Sequence, residues 1–268
     1  MLISIILPCY NCQDYIGQAI HSVLRQSYED WELLIVDDGS TDRSPEIIQQ
    51  YAATDARIRV ITQPNGGVSR ARNAALAEAR GEYVALLDAD DWLPQDSLLV
   101  RLRKFNESPD IAFVDGRVDI YNEAGNSIER SWVPTFRGNP CRMLLRLSPA
   151  CFFGPTWMIR LRQGFEYKFD ERLKYGEDLS AYLRLAQEGG KYDFVGETIY
   201  CYRDRAGSAM KNVDGLADGY LMLRKIFKTS NAFRLIDRLV FEYKIKRIMF
   251  LTYLRSGNIG KALRYLSR

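Results

Sequence analysis

The sequence has few residues that bind transition metals or form disulfides: a single histidine, His21, and five cysteines without regular spacing. An odd number of scattered cysteines fits reduced thiols better than a disulfide framework, so we expect a cytosolic protein. Cys9 and Cys12 form a CxxC pair, but the sequence has no second pair and too few histidines to complete a zinc site. Zinc-binding and disulfide-stapled proteins are therefore both disfavoured.

Long apolar runs are also missing. Leu2–Leu7 and Val84–Leu87 end within a few residues, whereas a membrane-spanning helix needs about 20 apolar residues. The N-terminus has neither the basic region nor the cleavage site of a signal peptide, so we expect the chain to stay in the cytoplasm. With 268 residues, 47% hydrophobic and 26% charged, the composition is globular and excludes disordered, collagen-like and coiled-coil proteins.

The net charge of +3 hides an asymmetry along the chain. From Tyr220 onward there are 12 Lys and Arg against 2 Asp and Glu, whereas the preceding residues have 25 against 32. A mildly acidic body therefore carries a basic tail. Such a tail is compatible with nucleic-acid binding, with an anionic membrane surface or with a solvated helix face.

Short apolar runs alternate with helical patterns over the first 115 residues, which is typical of an α/β fold with a mostly parallel sheet. The predicted strands are Ile3–Leu7, Leu33–Val36, Ile58–Ile61, Tyr83–Leu87 and Ile111–Val114. The predicted helices are Tyr15–Gln26, Pro45–Ala53 with Ser44 as N-cap, Val68–Ala79 and Gln95–Asn106. Further along, the patterns predict a hairpin around Asn122–Gly125, a helix at Glu177–Glu188, a strand at Thr198–Tyr202 and two or three helices after Leu216.

Polar, acidic or tight-turning residues follow each of the first four strands. They are Pro8 to Asn11, Asp37 to Asp42, Gln63 to Asn73 and Asp88 to Asp91. Ligands of parallel α/β sheets bind beyond the carboxyl ends of the strands, so we expect these four segments to form one cleft.

The acidic segments suggest a chemistry for that cleft. Asp88 and Asp90 together can hold a hard divalent cation that also bridges a diphosphate, although an isolated pair of this kind is usually only a solvated turn. Asp37 and Asp38 can accept hydrogen bonds from a uracil imide or a ribose hydroxyl, or they can serve only as turn and cap residues. Tyr10 can stack on a planar base.

Two arginines occupy an unusual position. Arg70 and Arg72 lie on the first turns of a predicted helix, where a cation opposes the helix dipole. That unfavourable placement suggests that both side chains face an anion.

Together these segments resemble family 2 glycosyltransferases. The similarity is carried by Ile3–Asn11, Ile35–Asp42, Asn65–Asn73 and Asp88–Asp91, which occur in the order and spacing of that family, and it extends over about residues 1–210. It implies a glycosyltransferase A-type fold, a nucleotide-diphosphate sugar donor, a divalent cofactor such as Mn²⁺ or Mg²⁺, and inversion at the anomeric carbon.

The resemblance also assigns roles to individual residues of the donor site. It implies that Pro8, Tyr10 and Asp38 contact the uridine, and that Arg72 and also Arg70 contact the base or a phosphate. It further implies that the Asp88 carboxylate lies at the donor ribose and near the metal, and that Asp90 is a direct metal ligand. The loop Tyr202–Ser208 resembles one that folds over the diphosphate in this family. Because the histidine common in that loop is missing here, Arg203 and Arg205 are only candidate phosphate contacts.

Asp178 is the predicted general base. The segment Tyr175–Leu179 resembles the family's Glu-Asp motif, in which the aspartate takes the proton of the acceptor hydroxyl. Glu177 is then expected at the acceptor. Without the resemblance, Glu177 and Asp178 would be read as acidic residues that favour the first turn of a helix.

The resemblance therefore predicts an inverting transferase with a UDP-sugar donor. Because the Gln-x-x-Arg-Trp signature of processive synthases is missing, we expect transfer of one sugar per encounter. The expected acceptor is a saccharide, preferably lipid-linked, at the cytoplasmic face of the membrane. A sugar-nucleotide pyrophosphorylase, a glycan-binding module and a nucleic-acid-binding module are the alternatives. The predicted divisions are a nucleotide-sugar-binding half at 1–118, an acceptor-binding half at 119–215 and a basic helical tail at 216–268.

The tail itself predicts a membrane contact. Ile236, Leu239, Tyr243, Phe250 and Leu254 fall on one stripe of a helix, with basic residues elsewhere on it. The same stripe could instead pack on the catalytic domain or on a second subunit.

Overall fold

The computed structural model describes residues 1–152, 154–162, 166–208, 211–229 and 234–267. Within them the strands are β1 Ile3–Cys9, β2 Trp31–Asp37, β3 Ile58–Thr62, β4 Tyr83–Leu86, β5 Ile111–Tyr121, β6 Ile128–Trp132, β7 Met158–Arg160 and β8 Lys191–Arg203. The helices are α1 Ile16–Leu24, α2 Ser44–Ala52, α3 Val68–Glu78, α4 Ser97–Asn106, α5 Cys141–Leu145, α6 Glu177–Gln187, α7 Val213–Thr229, α8 Leu235–Arg255 and α9 Ile259–Ser267.

One sheet runs through the molecule in the order β3-β2-β1-β4-β7-β5-β6, with β8 paired to β5. The first four strands are parallel, as their apolar runs and helical crossovers predict. β7 is antiparallel to both β4 and β5 and joins the two halves of the sheet. Beyond it, β5 pairs antiparallel with β6 and parallel with β8. The glycosyltransferase A-type α/β fold expected from the resemblance is confirmed.

Side chains of the central strands are buried on both faces of the sheet. Along β1, Ile5 and Leu7 pack on the face covered by α1, α2 and α4, while Ile6 packs on the opposite face with α3 and α6. Adjacent residues of a strand point to opposite faces, so a strand buried on both sides must be apolar throughout. Helices thus cover both faces of the central strands.

Several local predictions can be compared with the structure. The hairpin around Asn122–Gly125 is confirmed by the antiparallel pairing of β5 and β6. Ser44 was predicted to be the N-cap of α2, but it is the first residue of that helix. The Ser44 hydroxyl accepts a hydrogen bond from the Cys12 amide. The strand predicted at Thr198–Tyr202 is the last part of the longer β8.

The C-terminal part contains three helices in the described residues. The boundary predicted at residue 216 lies inside α7, because that helix begins at Val213. Its inner side is part of the main core: Leu223 and Phe227 pack in the same cluster as α3 and α6. The first of the three helices therefore belongs structurally to the α/β body.

Helix α8 is apolar on two opposite sides. One side is buried and consists of Phe241, Ile245, Met249 and Tyr253. The other is exposed, with Ile236 at 57%, Leu239 at 54%, Tyr243 at 64% and Leu254 at 39% of their full accessible surface. The buried side explains why apolar residues occur among the basic ones.

The exposed part of the predicted stripe therefore does not pack on the described part of the protein. Phe250 departs from that stripe, because it is partly buried against a cluster of α7 and α9 residues. Among the described residues, no helix combines the length and the apolar character needed to cross a membrane.

Candidate functional site

The carboxyl ends of β1, β2 and β4 lie side by side and carry the candidate site. The Asp38 amide donates to the Cys9 carbonyl at 2.9 Å, and the Leu87 amide donates to the Ile6 carbonyl at 2.9 Å. These bonds extend the parallel pairing of the strands to the first residues of their loops. The loops expected to form one cleft therefore do start at the same edge.

Asp38 fixes the loop that follows β3. Its carboxylate accepts hydrogen bonds from Gln63 Nε2 at 2.6 Å, from the Gly66 amide at 2.9 Å and from the Gly67 amide at 2.8 Å. The side chain is buried, and most of its acceptor capacity is used by this loop. A uridine contact from Asp38 remains a prediction, whereas the structure gives the residue a clear role in holding the loop after β3.

Tyr10 is exposed, with half of its surface accessible, at the turn that follows β1. Pro8 lies just before it, paired with Val36 of β2. The turn is held by Asn11, whose Oδ1 accepts from the Thr41 amide and whose own amide donates to Ser40 Oγ. The Tyr10 ring is therefore presented to solvent from a fixed backbone, as base stacking would require.

The turn Asp88–Asp91 is held by residues of β8. The Tyr200 hydroxyl donates to Asp91 Oδ2 at 2.9 Å and accepts from the Asp88 amide at 3.1 Å. The Arg203 amide donates to Asp91 Oδ1 at 2.8 Å. Asp91 is thus a buried structural acid, while Asp88 and Asp90 are directed to the cleft with 30% and 21% of their side chains exposed. No sequence motif predicts this role of Tyr200.

The two arginines after β8 have different environments. The Arg203 side chain is buried and donates to the Asp90 and Glu123 carbonyls and to Gln18 Oε1, so it supports the acidic turn from behind. A phosphate contact from Arg203 would require these bonds to break. Arg205 instead forms an ion pair with Asp90, Nε to Oδ2 at 2.5 Å, and is partly exposed at the cleft. Of the two, Arg205 is the better placed candidate for a diphosphate contact.

Arg72 connects the acidic turn to the Glu-Asp motif. Its Nη2 is 2.9 Å from Asp88 Oδ1, and its Nη1 is 2.7 Å from Asp178 Oδ1 and 3.1 Å from Glu177 Oε1. Only 2% of the arginine side chain is exposed. The anion that Arg72 was expected to face is therefore a group of the protein's own carboxylates, and its predicted donor contact stays a prediction. Arg70 on the same helix is exposed.

Neighbours of Arg72 on α3 hold the segment that leads to the Glu-Asp motif. Asn73 donates to the Phe169 carbonyl at 3.0 Å and accepts from the Phe169 amide at 2.8 Å. Ser69 donates to the Leu173 carbonyl at 3.3 Å. The motif Ser-Arg-Ala-Arg-Asn thus fixes the approach to α6, a function that motif spacing alone does not reveal because the partners lie about 100 residues away in sequence.

Burial controls the protonation of the candidate base. It raises the pKa of Asp178 well above the usual value of 3.8, while the adjacent Arg72 guanidinium opposes the rise and the charges of Glu177 and Asp88 add to it. A raised pKa makes the carboxylate a stronger proton acceptor. The pKa of Glu177 is also raised, first by burial. The local environment therefore suits proton transfer at this end of α6.

Asp88 and Asp90 offer oxygen ligands for a divalent cation. Burial, followed by the neighbouring charge of Asp88, raises the pKa of Asp90, and each carboxylate has one oxygen outside the ion pairs described above. Like charges held together in this way favour a cation between or beside them. In the described part of the chain, no three or more His, Cys, Asp or Glu side chains are arranged so that they could hold a metal ion by themselves. The residues therefore fit a cation that takes its remaining ligands from a diphosphate, and not a site built by protein side chains alone.

Between residues 4 and 166 the chain matches the family model described as Glycosyl transferase family 2. Among relatives, the protein described as uncharacterized glycosyltransferase EpsJ of Bacillus subtilis (strain 168) is 33% identical over 219 residues, covering 77% of this chain and 62% of that protein. Chondroitin synthase of Pasteurella multocida (strain Pm70) is 31% identical over 201 residues, covering 74% of this chain and 20% of that protein. The chain thus spans less than two thirds of either relative.

Two solved structures show the same fold. Staphylococcus aureus TarS 1-349 in complex with UDP-GlcNAc superposes with a TM-score of 0.65 and 20% identity, covering 100% of this chain and 91% of that one. The mannosyltransferase PcManGT from Pyrobaculum calidifontis, in complex with GDP-Man and Mn²⁺, superposes with a TM-score of 0.64 and 18% identity, covering 99% and 74%. These two complexes hold different nucleotides, so the shared fold alone does not select the donor.

Proposed function

The chain belongs to glycosyl transferase family 2, and we propose that it is an inverting glycosyltransferase that moves one sugar from a UDP-sugar to a hydroxyl group of a saccharide. The observation that carries the proposal is the single guanidinium of Arg72, which holds Asp88 and Asp178 at once. It brings a donor-side carboxylate and a candidate base to the two ends of one planar group. A transferase needs these two functions close together, because donor and acceptor must meet in one cleft.

The proposed reaction is a single in-line displacement. The acceptor oxygen forms a bond to the anomeric carbon as the bond from that carbon to the diphosphate oxygen breaks, and the configuration inverts. The acceptor proton passes to Asp178, whose raised pKa favours uptake. Glu177, on the same turn, is proposed to bind the acceptor.

Asp88 and Asp90 are the residues proposed to hold Mn²⁺ or Mg²⁺ with the diphosphate. The cation would supply positive charge against the leaving diphosphate, which is the usual contribution of a metal to such displacements. Arg205, now paired with Asp90, is the side chain proposed to contact the diphosphate as well. We assign the uridine side to Pro8, Tyr10 and Asp38.

The alternatives fit the site less well. A pyrophosphorylase needs a glycine-rich, basic phosphate loop near the N-terminus, and residues 1–20 contain one glycine and no lysine or arginine. Binding of a nucleic acid backbone is disfavoured by the acidic character of the cleft, because carboxylates repel phosphodiesters. A glycan-binding module without activity would not require a buried acid–arginine cluster between donor and acceptor sides.

The exposed apolar side of α8 supports a peripheral membrane contact and, with it, a lipid-linked acceptor. Ile236, Leu239 and Tyr243 are accessible, and Lys244 and Arg247 lie on the same helix. Each basic residue near an anionic bilayer contributes about 1 kcal/mol, and the apolar side chains add to this by insertion. A saccharide attached to a lipid would be reached at that surface, on the cytoplasmic side of the membrane.

The experiment that tests the function is a donor panel. The protein is incubated with UDP- and GDP-sugars, with Mn²⁺ and with a chelator, and release of nucleoside diphosphate is measured alongside mass spectrometry of saccharide products. We expect release from one UDP-sugar, dependent on the cation. Release of no nucleoside diphosphate from any donor, with or without acceptor saccharides, would contradict the proposal.

A further inference from the structure

Tyr175, just before the Glu-Asp motif, lies in a groove of α7 formed by two glycines. An ideal Cβ placed on Gly215 would overlap the Tyr175 ring, and one placed on Gly219 would lie 2.6 Å from Tyr175 Cβ and 2.7 Å from its carbonyl oxygen. Contacts below 3.0 Å are essentially never seen for real Cβ atoms. The close approach of Tyr175 to α7 therefore depends on both glycines.

Asn212 secures this arrangement with both ends of its side-chain amide. Its Nδ2 donates to the Tyr175 hydroxyl at 2.8 Å, and its Oδ1 accepts from the Gly215 amide at 3.0 Å at the start of α7. Leu223, two turns further on, lies 2.7 Å from an ideal Cβ on Gly176. Tyr175 and Gly176 are thus both fixed against one side of α7.

The start of α6 depends on these contacts. Gly176 is the N-cap of α6, adopts a left-handed φ of 75°, and no side chain caps the helix there. Without a side-chain cap, the start of this helix relies on the packing of the residues that precede it. The direction in which α6 presents Asp178 therefore depends on two sets of contacts: α7 holds Tyr175 and Gly176 before the helix, and α3 holds Asp178 itself through Arg72.

We propose that Tyr175, seated between Gly215 and Gly219 and bonded to Asn212, is a positioning residue for Asp178. The inference rests on the proposed function, because it concerns the base of that reaction. On this proposal α7 helps to position the base, in addition to belonging to the basic C-terminal part of the chain. A misplacement of a reacting group by about 1 Å costs about 100-fold in rate, so a modest shift of this anchor is measurable.

A double-mutant cycle tests the proposal. Gly215→Ala should lower turnover about tenfold by displacing the ring, and Tyr175→Ala should lower it by a similar or larger factor. In the Tyr175→Ala background, adding Gly215→Ala should have no further effect, because the ring that the new methyl group meets is gone. The KM of the donor and the Kd of UDP should stay within about twofold of wild type in all three variants, since none of the changes touches the donor side.

Two further variants serve as controls. For Gly260→Ala in α9, the nearest described atom to the ideal Cβ outside the local backbone is Arg264 Nη2 at 3.9 Å, so this change should leave turnover unchanged. Asn212→Ser keeps a helix-capping oxygen but is too short to reach Tyr175, so its turnover should fall between wild type and Tyr175→Ala.

The outcomes separate the two proposals. If wild type transfers sugar and Tyr175→Ala does so equally well, the positioning role is wrong and the function stands. If the variants lost UDP affinity and thermal stability together with turnover, the positioning role would also be wrong, because these losses would show a general structural role. If wild type itself neither transfers nor hydrolyses any donor, the proposed function fails first.

Discussion

Asp88 and Asp178 are held by opposite nitrogens of the same guanidinium, at 2.9 Å and 2.7 Å from Nη2 and Nη1 of Arg72. The two acids belong to segments 90 residues apart, and one side chain fixes the separation between them. Each end of the site is therefore sensitive to changes at the other.

Asp178→Asn should abolish transfer while leaving UDP binding nearly intact. The amide cannot take up the acceptor proton, and a missing general base costs about 10²–10⁴ in turnover. Turnover at saturating substrates and calorimetric UDP affinity would be measured. Glu188→Gln, at the other end of α6, is exposed and should behave as wild type. Retention of more than about a third of the turnover by Asp178→Asn would exclude it as the base.

Asp90→Ala should remove the tightening of UDP binding by Mn²⁺, because Asp88 alone cannot hold the cation against the diphosphate. Asp88→Ala should show a weaker effect of the same kind. Calorimetry of UDP binding with and without the cation measures both, and Asp110→Ala, in an exposed ion pair with Lys191, is the control. An equal gain from the cation in Asp90→Ala and wild type would place the metal elsewhere.

Arg72→Ala should destabilise the protein by about 3 kcal/mol, because it leaves three partly buried carboxylates without their cation. Urea unfolding measures the change in the free energy of unfolding. Arg70→Ala, an exposed arginine two residues earlier on α3, should change it by less than about 0.5 kcal/mol. A similar stability for both variants would mean that the Arg72 ion pairs contribute little to the fold.

Stability should depend on pH through Asp115, a buried acid in β5. Burial raises the pKa of Asp115 to about 6 from 3.8, although hydrogen bonds from the Gly116 amide and the Tyr192 hydroxyl and the nearby Arg101 oppose the rise. A carboxyl group whose pKa is raised by folding contributes stability below about pH 3.8 that is lost as the pH increases through 6. The loss amounts to about 3 kcal/mol for a shift of this size.

Asp115→Asn should therefore flatten the stability profile between pH 4 and 6, when the free energy of unfolding is compared with that of wild type at each pH. The exposed Asp110→Asn should leave the profile unchanged. Parallel profiles for wild type and Asp115→Asn would show that Asp115 does not titrate in this range.

The tail prediction needs point substitutions, because a chain ending near Asp218 would lose Gly219 and Leu223 and with them the anchor of α6. The wild-type protein should sediment with anionic vesicles, dissociate from them at high salt and remain in the supernatant with neutral vesicles. A variant with Ile236, Leu239 and Tyr243 all changed to Ser should remain in the supernatant.

The control for that experiment is the pair Ile128→Ser and Val133→Ser, two exposed apolar residues outside the tail. Sedimentation of the triple variant like wild type would contradict membrane insertion by this surface. Salt-sensitive binding of wild type to duplex DNA, without binding to vesicles, would favour the nucleic-acid alternative.

The sequence predicted the parallel half of the fold because its signals are local: four apolar runs end in polar turns, and three of the four, β1, β2 and β4, are buried within the sheet while β3 lies at its edge. The same reasoning places Asp88 and Asp90 at the carboxyl edge of the sheet, because they directly follow an apolar run, whereas the role of Asp178 as base rests on the family resemblance and stays a prediction. It failed where partners are distant. The burial of Arg203 depends on Gln18, 185 residues away.

The strand order in the second half of the sheet could not be predicted from the sequence either. β7 has only three residues, Met158–Arg160, and lies in a stretch without motif or clear periodicity. A strand so short gives no period to recognise, yet it joins β4 to β5. The pairing is decided by tertiary packing and not by local propensity.

The hydrogen bonds of Tyr200 to Asp88 and Asp91 also bear on the order in which the site can form during synthesis. The acidic turn emerges from the ribosome more than 100 residues before the tyrosine that fixes it. A growing chain of 120 residues would contain every donor-side acid in sequence but neither the buried partner of Asp91 nor the Arg205 that pairs with Asp90. The cleft as described can therefore form only after β8 has been synthesised and has paired with β5.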